Sequence, residues 1–274
     1  MARVRIGDLS LNYEREGEGT DLVLIHGLGG DLHAWDADVP ALARCHRVLR
    51  FDLRGCGASD TPPGPYSPEL FARDVEGLLS ACAITEAHVL GISLGGVIAQ
   101  RLALDHPSRL RSLVLVSTSS EVGAAAAAAW QRVAERVERH GLDARTADAS
   151  RAFAAAFVAA HPEVVAEISR RTAASDPRGY AEAARAASGY HWTAELARVT
   201  APTLILQGLE DQLTPPGGSV KMSRVLPHAR LLMVEGAGHN VPIERPEVFR
   251  ASVLAFTAGV DFQRSRAAAA GSRT

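Results

Sequence analysis

Three residues of the 274-residue chain have the types and the settings for nucleophilic catalysis. Ser93 stands in Gly91-Ile92-Ser93-Leu94-Gly95, a G-x-S-x-G pattern. It lies between residues 87–90, which read as a strand, and Leu94–Asp105, which reads as a helix. So sharp a strand-to-helix turn needs neighbours without side chains at 91 and 95. It thrusts the hydroxyl above the sheet and sets it at a helix N-terminus, where the dipole favours developing negative charge. A serine hydroxyl is a poor nucleophile at neutral pH and needs a base. His239 follows Gly236-Ala237-Gly238, just past the last expected strand, and carries an imidazole suited to that task. Asp211 follows the strand expected at 203–207 and is the candidate to fix the imidazole tautomer. Its neighbour Glu210 is the competitor and reads as solvated.

Acyl transfer also needs backbone donors for the oxyanion. One candidate is the N–H of Leu94, directly after Ser93. The other is the N–H of Leu28, in His26-Gly27-Leu28-Gly29-Gly30. That loop could instead bind phosphate, but it has neither a G-x-G-x-x-G pattern nor a G-K-[ST] ending. The side chain of His26 is expected to brace the loop.

These residues need a scaffold, and the chain supplies its pattern. Residues 3–6 and 10–15 alternate around Gly7-Asp8 as a hairpin would. Residues 22–25 form a continuous apolar run, as in a strand buried on both faces. A helix is expected over 31–43 and a strand over 47–51. After the Thr61-Pro62-Pro63-Gly64-Pro65 loop, Ser67-Pro68-Glu69 starts a helix with Phe71, Val75, Leu78, Leu79 and Cys82 on one face. Leu110–Val116 is another strand. The alternation of strand and helix is that of a parallel sheet covered on both faces. From 121 to 189 the chain turns Ala-rich, with breaks at Gly141, Pro162 and Pro177 and no clear strand, which reads as inserted helices. Strands resume at 203–206 and 230–234, and a helix from 245 to about 257 closes the pattern.

Composition narrows the partners. A formal charge of −2 implies neither nucleic acid nor an anionic membrane. Residues 1–20 have no apolar segment of the signal-peptide kind, and no apolar run approaches the ~20 residues that span a bilayer. The three cysteines, Cys45, Cys56 and Cys82, are spaced like neither a disulfide framework nor a zinc site. A reduced, cytoplasmic protein is expected. No metal and no organic cofactor is implied, since neither H-E-x-x-H nor a Cys/His cluster occurs.

His26-Gly27, Asp52-x-Arg54-Gly55-x-Gly57-x-Ser59, Gly91-x-Ser93-x-Gly95, Asp211 and Gly238-His239 together resemble the α/β-hydrolase superfamily, over about residues 3–258. The order serine, acid, histidine is the one that family uses. The resemblance implies a mainly parallel eight-stranded sheet with helices on both faces and an inserted helical cap. The core would span 1–119 and 196–260, the cap 120–195, and 261–274 would be a disordered tail. Within the superfamily, four stretches resemble 3-oxoadipate enol-lactonases: 28–36, 58–66, 91–96 and Asp176-Pro177-x-Gly179-Tyr180.

The expected function is a serine hydrolase acting on a small ester or lactone through an acyl-enzyme. A carbon–carbon bond hydrolase or a cofactor-free perhydrolase of the haloperoxidase type would use the same three residues, and a non-catalytic ligand-binding protein is the alternative from another class. Trp130 and Trp192, in and near the cap, are candidate pocket residues. Arg54 is expected to tie loops together beside the site or to meet a substrate carboxylate.

Overall fold

The computed structural model describes residues 2–143 and 147–271. Eight strands form one sheet: β1 (Ala2–Ile6), β2 (Leu9–Glu16), β3 (Thr20–Ile25), β4 (His46–Phe51), β5 (Ala87–Ile92), β6 (Leu110–Val116), β7 (Thr203–Gly208) and β8 (Ala229–Val234). Their order is β1-β2-β4-β3-β5-β6-β7-β8. The hairpin β1–β2 and the pair β2–β4 are antiparallel, and every other pair is parallel. The helices are α1 (Val39–Leu42), α2 (Pro68–Ala81), α3 (Leu94–Asp105), α4 (Ala124–His140), α5 (Ala155–Ala160), α6 (Pro162–Ala173), α7 (Pro177–Ala186), α8 (Gly217–Val225), α9 (Val241–Glu244) and α10 (Pro246–Gly271).

The continuous apolar runs are strands with two buried faces. Val23 and Ile25 of β3 join one hydrophobic cluster with Phe71 and Val75 of α2 and Ile98 and Leu102 of α3. Leu22 and Leu24 face the opposite cluster, with Trp35 and with Phe249 and Val253 of α10. Strand period two thus feeds alternate residues to helices on either side of the sheet. At β3 the strand order reverses, because β4 lies on one side of it and β5 on the other. The parallel register pairs Ile25 with Gly91, so the loops leaving β3 and β5 emerge together at the C-terminal edge. Such a switch point is where open α/β sheets hold their ligands.

Two expectations are corrected. The stretch 31–43 is not one helix but a 3-10 turn, Leu32–Trp35, followed by α1. Pro40 is tolerated only in the first turn of a helix, so a helix cannot run through it from upstream. The expected disordered tail, 261–274, is instead helical as far as Gly271. Asp261 anchors it, accepting from Thr20 Oγ1 at 2.7 Å and from Arg111. Arg264 donates to Glu86 at 2.9 Å, and the alanines that follow are strong helix formers. Residues 272–274 lie outside the described residues, as do 144–146 of the expected cap.

Between β6 and β7 the described residues form helices and loops, with one isolated antiparallel bridge between Glu121 and His191 and no strand. This insertion sits on the C-terminal edge of the sheet through several close contacts. Gly179 of α7 meets Gly55 so tightly that a Cβ on Gly179 would lie 2.0 Å from the Gly55 carbonyl oxygen. Arg171 of α6 donates to Asp31 at 2.7 Å, and Glu182 of α7 accepts from the Tyr66 N–H at 3.1 Å. Among the described residues, no helix is long and apolar enough to cross a membrane.

Candidate active site

Ser93 forms the turn between β5 and α3 and has φ 54° and ψ −120°. This region is costly for a residue with a Cβ, on the order of 1–3 kcal/mol, and such strain gathers at functional sites. The flanking glycines are required by contact. A Cβ on Gly91 would lie 2.1 Å from the Gly95 carbonyl oxygen, and one on Gly95 would lie 2.2 Å from that of Ile25. The second contact draws the start of α3 against the end of β3. A Cβ on Gly27 would accordingly lie 3.2 Å from Ser93 Cβ.

The two donors named from the sequence flank this point. Leu94 is the first residue of α3, so its N–H has no acceptor within the helix. Neither it nor the Leu28 N–H donates a backbone hydrogen bond among the described residues. His26 holds the Leu28 loop: Nδ1 lies 2.8 Å from the Gly27 carbonyl oxygen, and Nε2 accepts from the Leu53 N–H at 3.1 Å. Burial lowers its pKa, which keeps the ring neutral with the proton on Nδ1.

Asp211 and His239 come from the loops after β7 and β8. Close backbone approach locks these loops together. A Cβ on Gly208 would lie 2.0 Å from the Gly238 carbonyl oxygen, and the Glu210 N–H donates to the Ala237 carbonyl at 2.9 Å. His239 Nδ1 lies 2.9 Å from Asp211 Oδ2. Asp211 Oδ2 also accepts from Thr214 Oγ1 at 2.7 Å and Gln207 Nε2 at 3.1 Å. Its Oδ1 accepts from the Leu213 and Thr214 N–H groups, each at 2.9 Å. Burial pushes the Asp211 carboxyl up, but the bond and charge of His239 and the bonds from Thr214 outweigh it, and the group ends below the usual carboxylate range. An ionised carboxylate only accepts, so the imidazole proton sits on Nδ1 and the lone pair on Nε2. Glu210, by contrast, is exposed.

The serine and the pair are joined through the turn after β6. Ser93 N–H donates to the Val116 carbonyl at 3.0 Å, and Thr118 Oγ1 donates to the Ser93 carbonyl at 2.8 Å. Between them, Thr214 Oγ1 lies 2.9 Å from the Ser117 carbonyl oxygen, an alternative acceptor for its single proton, and 3.1 Å from His239 Nδ1. The Ser93 hydroxyl itself makes no hydrogen bond among the described residues. In ligand-free sites that link commonly tightens only when substrate arrives.

Other candidates sit differently. Trp192 is buried two turns along α3 from Ser93, where its Nε1 donates to Gln100 Oε1 at 3.1 Å and Arg101 lies over its ring. Its ring packs in the main core. Trp130, on α4, is half-buried and packs against both the main core and the small cluster built by α4 and α7. Arg54 is held by Asp74, with Nη2 to Oδ1 at 2.6 Å, and is stacked near Tyr66, so it ties loops together. Cys56 is buried, and burial with Asp52, Asp31 and Asp176 nearby pushes its thiol up to about 12. Gln207, Thr214 and Glu244 escaped sequence reasoning. The D-x-x-T spacing, able to close a side-chain-to-backbone turn, was the available signal for Thr214. Among the described residues no group of acidic, His and Cys side chains could hold a metal ion.

A family model described as the alpha/beta hydrolase fold matches residues 21–246. The 3-oxoadipate enol-lactonase 2 of Acinetobacter baylyi is 32% identical over 252 residues, covering 90% of this chain and 93% of its own. The crystal structure of the enol-lactonase from Burkholderia xenovorans LB400 is 30% identical, with a TM-score of 0.89 over 94% of this chain and all of its own. A thermophilic esterase from Thermogutta terrifontis, with malate bound, is also 30% identical, with a TM-score of 0.90 over 95% and 99% of the two chains.

Proposed function

The chain belongs to the α/β-hydrolase family and is a hydrolase, and from that premise we propose that it cleaves a small carboxylic ester or lactone through an acyl-enzyme on Ser93. His239 Nε2 takes the Ser93 proton as Oγ bonds to the carbonyl carbon. Asp211 holds the Nδ1–H and stabilises the imidazolium that forms. The carbonyl oxygen becomes an oxyanion between the N–H groups of Leu28 and Leu94. When the intermediate collapses, the bond to the leaving oxygen breaks and His239 returns its proton to that oxygen. Water then attacks the acyl-enzyme by the same route, releasing the acid and restoring Ser93.

The observation that carries this reading is the Asp211–His239 hydrogen bond of 2.9 Å. It leaves the Nε2 lone pair free, in a site tied through Thr214 and Ser117 to a strained serine. Ester and lactone are favoured as the substrate class by the printed names of the enol-lactonases and the esterase. The helical insertion is the part proposed to select substrates. It seats on the Gly29 turn, where a Cβ would lie 3.0 Å from the Tyr180 ring and 3.1 Å from Thr172.

The test is a panel of p-nitrophenyl esters, aliphatic lactones and dienones, assayed with the purified protein and with Ser93→Ala. Ester or lactone turnover that Ser93→Ala abolishes supports the reading. Turnover confined to dienones moves it to carbon–carbon cleavage, and unchanged ester turnover in Ser93→Ala removes it.

A further inference from the structure

Glu244, at the end of α9, is 4% exposed, and among the described residues its carboxylate accepts only from backbone N–H groups. Oε1 accepts from Gly238 at 3.0 Å and Asn240 at 3.1 Å, the residues on either side of His239. Oε2 accepts from Gly238 at 2.9 Å and from Ala154 at 2.8 Å, and Ala154 belongs to the helical insertion. The contact is returned from the other side. The Ala152 carbonyl accepts from the N–H groups of His239 at 3.1 Å and Asn240 at 3.2 Å, and from Asn240 Nδ2 at 3.1 Å. Space is equally tight, since a Cβ on Gly238 would lie 2.6 Å from the Ala154 nitrogen. A single buried carboxylate and a single carbonyl therefore bind the 152–154 segment to the turn that presents the imidazole.

We propose that Glu244 is a positioning residue that makes the 152–154 segment of the insertion and the His239 turn one mechanical unit. This rests on the reading of His239 as the general base. The backbone on both sides of His239 is held by acceptors outside the turn, and the imidazole can meet both Ser93 and Asp211 only if that backbone keeps its place. The insertion reaches the base through the same contacts, so a substrate that shifts the 152–154 segment shifts Nε2 relative to Ser93. Phe153 of this segment also stacks on Phe157 of α5, with ring centroids 5.3 Å apart, which joins the segment to the helix that follows it.

The informative substitution is Glu244→Gln. An amide has one acceptor oxygen, so it can serve the Gly238–Asn240 side or the Ala154 side, and its NH2 then faces an N–H donor. Glu244→Asp keeps both acceptor oxygens on a shorter stem. Three readouts are taken: kcat and KM for p-nitrophenyl acetate, the nitrogen-bound proton signals of the His239 imidazole in 15N-edited NMR, and the amide exchange of Ala154, Gly238 and Asn240 in the unaltered protein.

The proposal expects kcat to fall on the order of 10- to 100-fold in Glu244→Gln. It expects KM within about twofold, a moved or broadened imidazole signal, and partial recovery of both in Glu244→Asp. In the unaltered protein the three amides should be protected and open together. A folded Glu244→Gln with wild-type kcat and an unchanged imidazole signal overturns it. So does exchange of Ala154 uncoupled from Gly238 and Asn240, a measurement that needs no variant to fold. Were Ser93 not the nucleophile, Ser93→Ala would keep its turnover while the imidazole signal still responded to Glu244, which separates the two failures.

Discussion

Replacing Asp211 by Asn changes one atom's chemistry in a fully buried side chain, and the structure says what that atom meets. Five donors converge on the carboxylate: two backbone N–H groups on Oδ1, and His239 Nδ1, Thr214 Oγ1 and Gln207 Nε2 on Oδ2. The amide oxygen will keep the two fixed backbone donors, because they cannot turn away. The NH2 then stands where Oδ2 stood. Thr214 can rotate its hydroxyl proton toward the Ser117 carbonyl, which it already touches at 2.9 Å, and accept from the amide. His239 can accommodate only by moving its proton to Nε2 and accepting at Nδ1. The lone pair then points at the new amide rather than at Ser93, and the imidazolium loses its counter-charge. By analogy with measured serine–histidine–aspartate systems, this wrong tautomer costs about 10⁴ in kcat, or about 5 kcal/mol of transition-state stabilisation.

Gln207 Nε2 loses its bond to Oδ2 but keeps the Gly208 carbonyl at 3.1 Å and the Thr214 carbonyl at 3.2 Å, so its two protons stay satisfied and little stability is lost there. The ionised Asp211 stabilises the fold because its folded pKa lies below the ordinary carboxylate value. That contribution is complete above the unfolded value and is lost as pH falls through the folded one. The stability gap between wild type and Asp211→Asn should therefore narrow on acidification below about pH 4. The assay is steady-state hydrolysis of p-nitrophenyl acetate with urea unfolding at several pH values, and Glu210→Gln as control. If Asp211→Asn retains kcat within about tenfold, or Glu210→Gln is the more damaged of the two, the tautomer reasoning is wrong.

Other expectations follow from the same contacts. Cys56→Ser should keep most of the activity, since burial holds that thiol near a pKa of about 12 and far from thiolate; a loss comparable to that of Ser93→Ala would refute this. His88 is fully buried between Ser112 and Asp261, and burial holds its pKa at about 4, below the unfolded value. Between about pH 6.5 and 4 the unfolded chain therefore binds the extra proton, and stability should fall with pH by about 3 kcal/mol from this group. Urea unfolding across that window should show a shallower slope in His88→Gln; an unchanged slope would deny His88 this role.

Much of the sheet was legible because strands buried on both faces leave uninterrupted apolar runs, as at residues 22–25 of β3, and because helices announce their starts, as Ser67-Pro68 does for α2. The serine turn was legible because its steric demand falls on glycines at fixed offsets. What escaped shares a physical character. The helical continuation beyond Val260 depends on tertiary partners, Asp261 with Thr20 and Arg111 most clearly. Trp192 sits in the core because Gln100, 92 residues earlier, satisfies its indole N–H, and no local pattern encodes that pairing. Gln207 and Glu244 likewise act through contacts that the chain makes only once folded, with Asp211 and with Gly238, Asn240 and Ala154.

The central claim is that Ser93 becomes covalently acylated, and trapping the intermediate tests it most directly. The protein is mixed with p-nitrophenyl acetate, quenched in acid within the first turnovers, digested, and analysed by mass spectrometry. An acetyl group is expected on the peptide carrying Ser93, formed with a burst of p-nitrophenol, and neither signal in Ser93→Ala. Turnover with no acyl group on Ser93, or acylation of another residue that persists in Ser93→Ala, would contradict it.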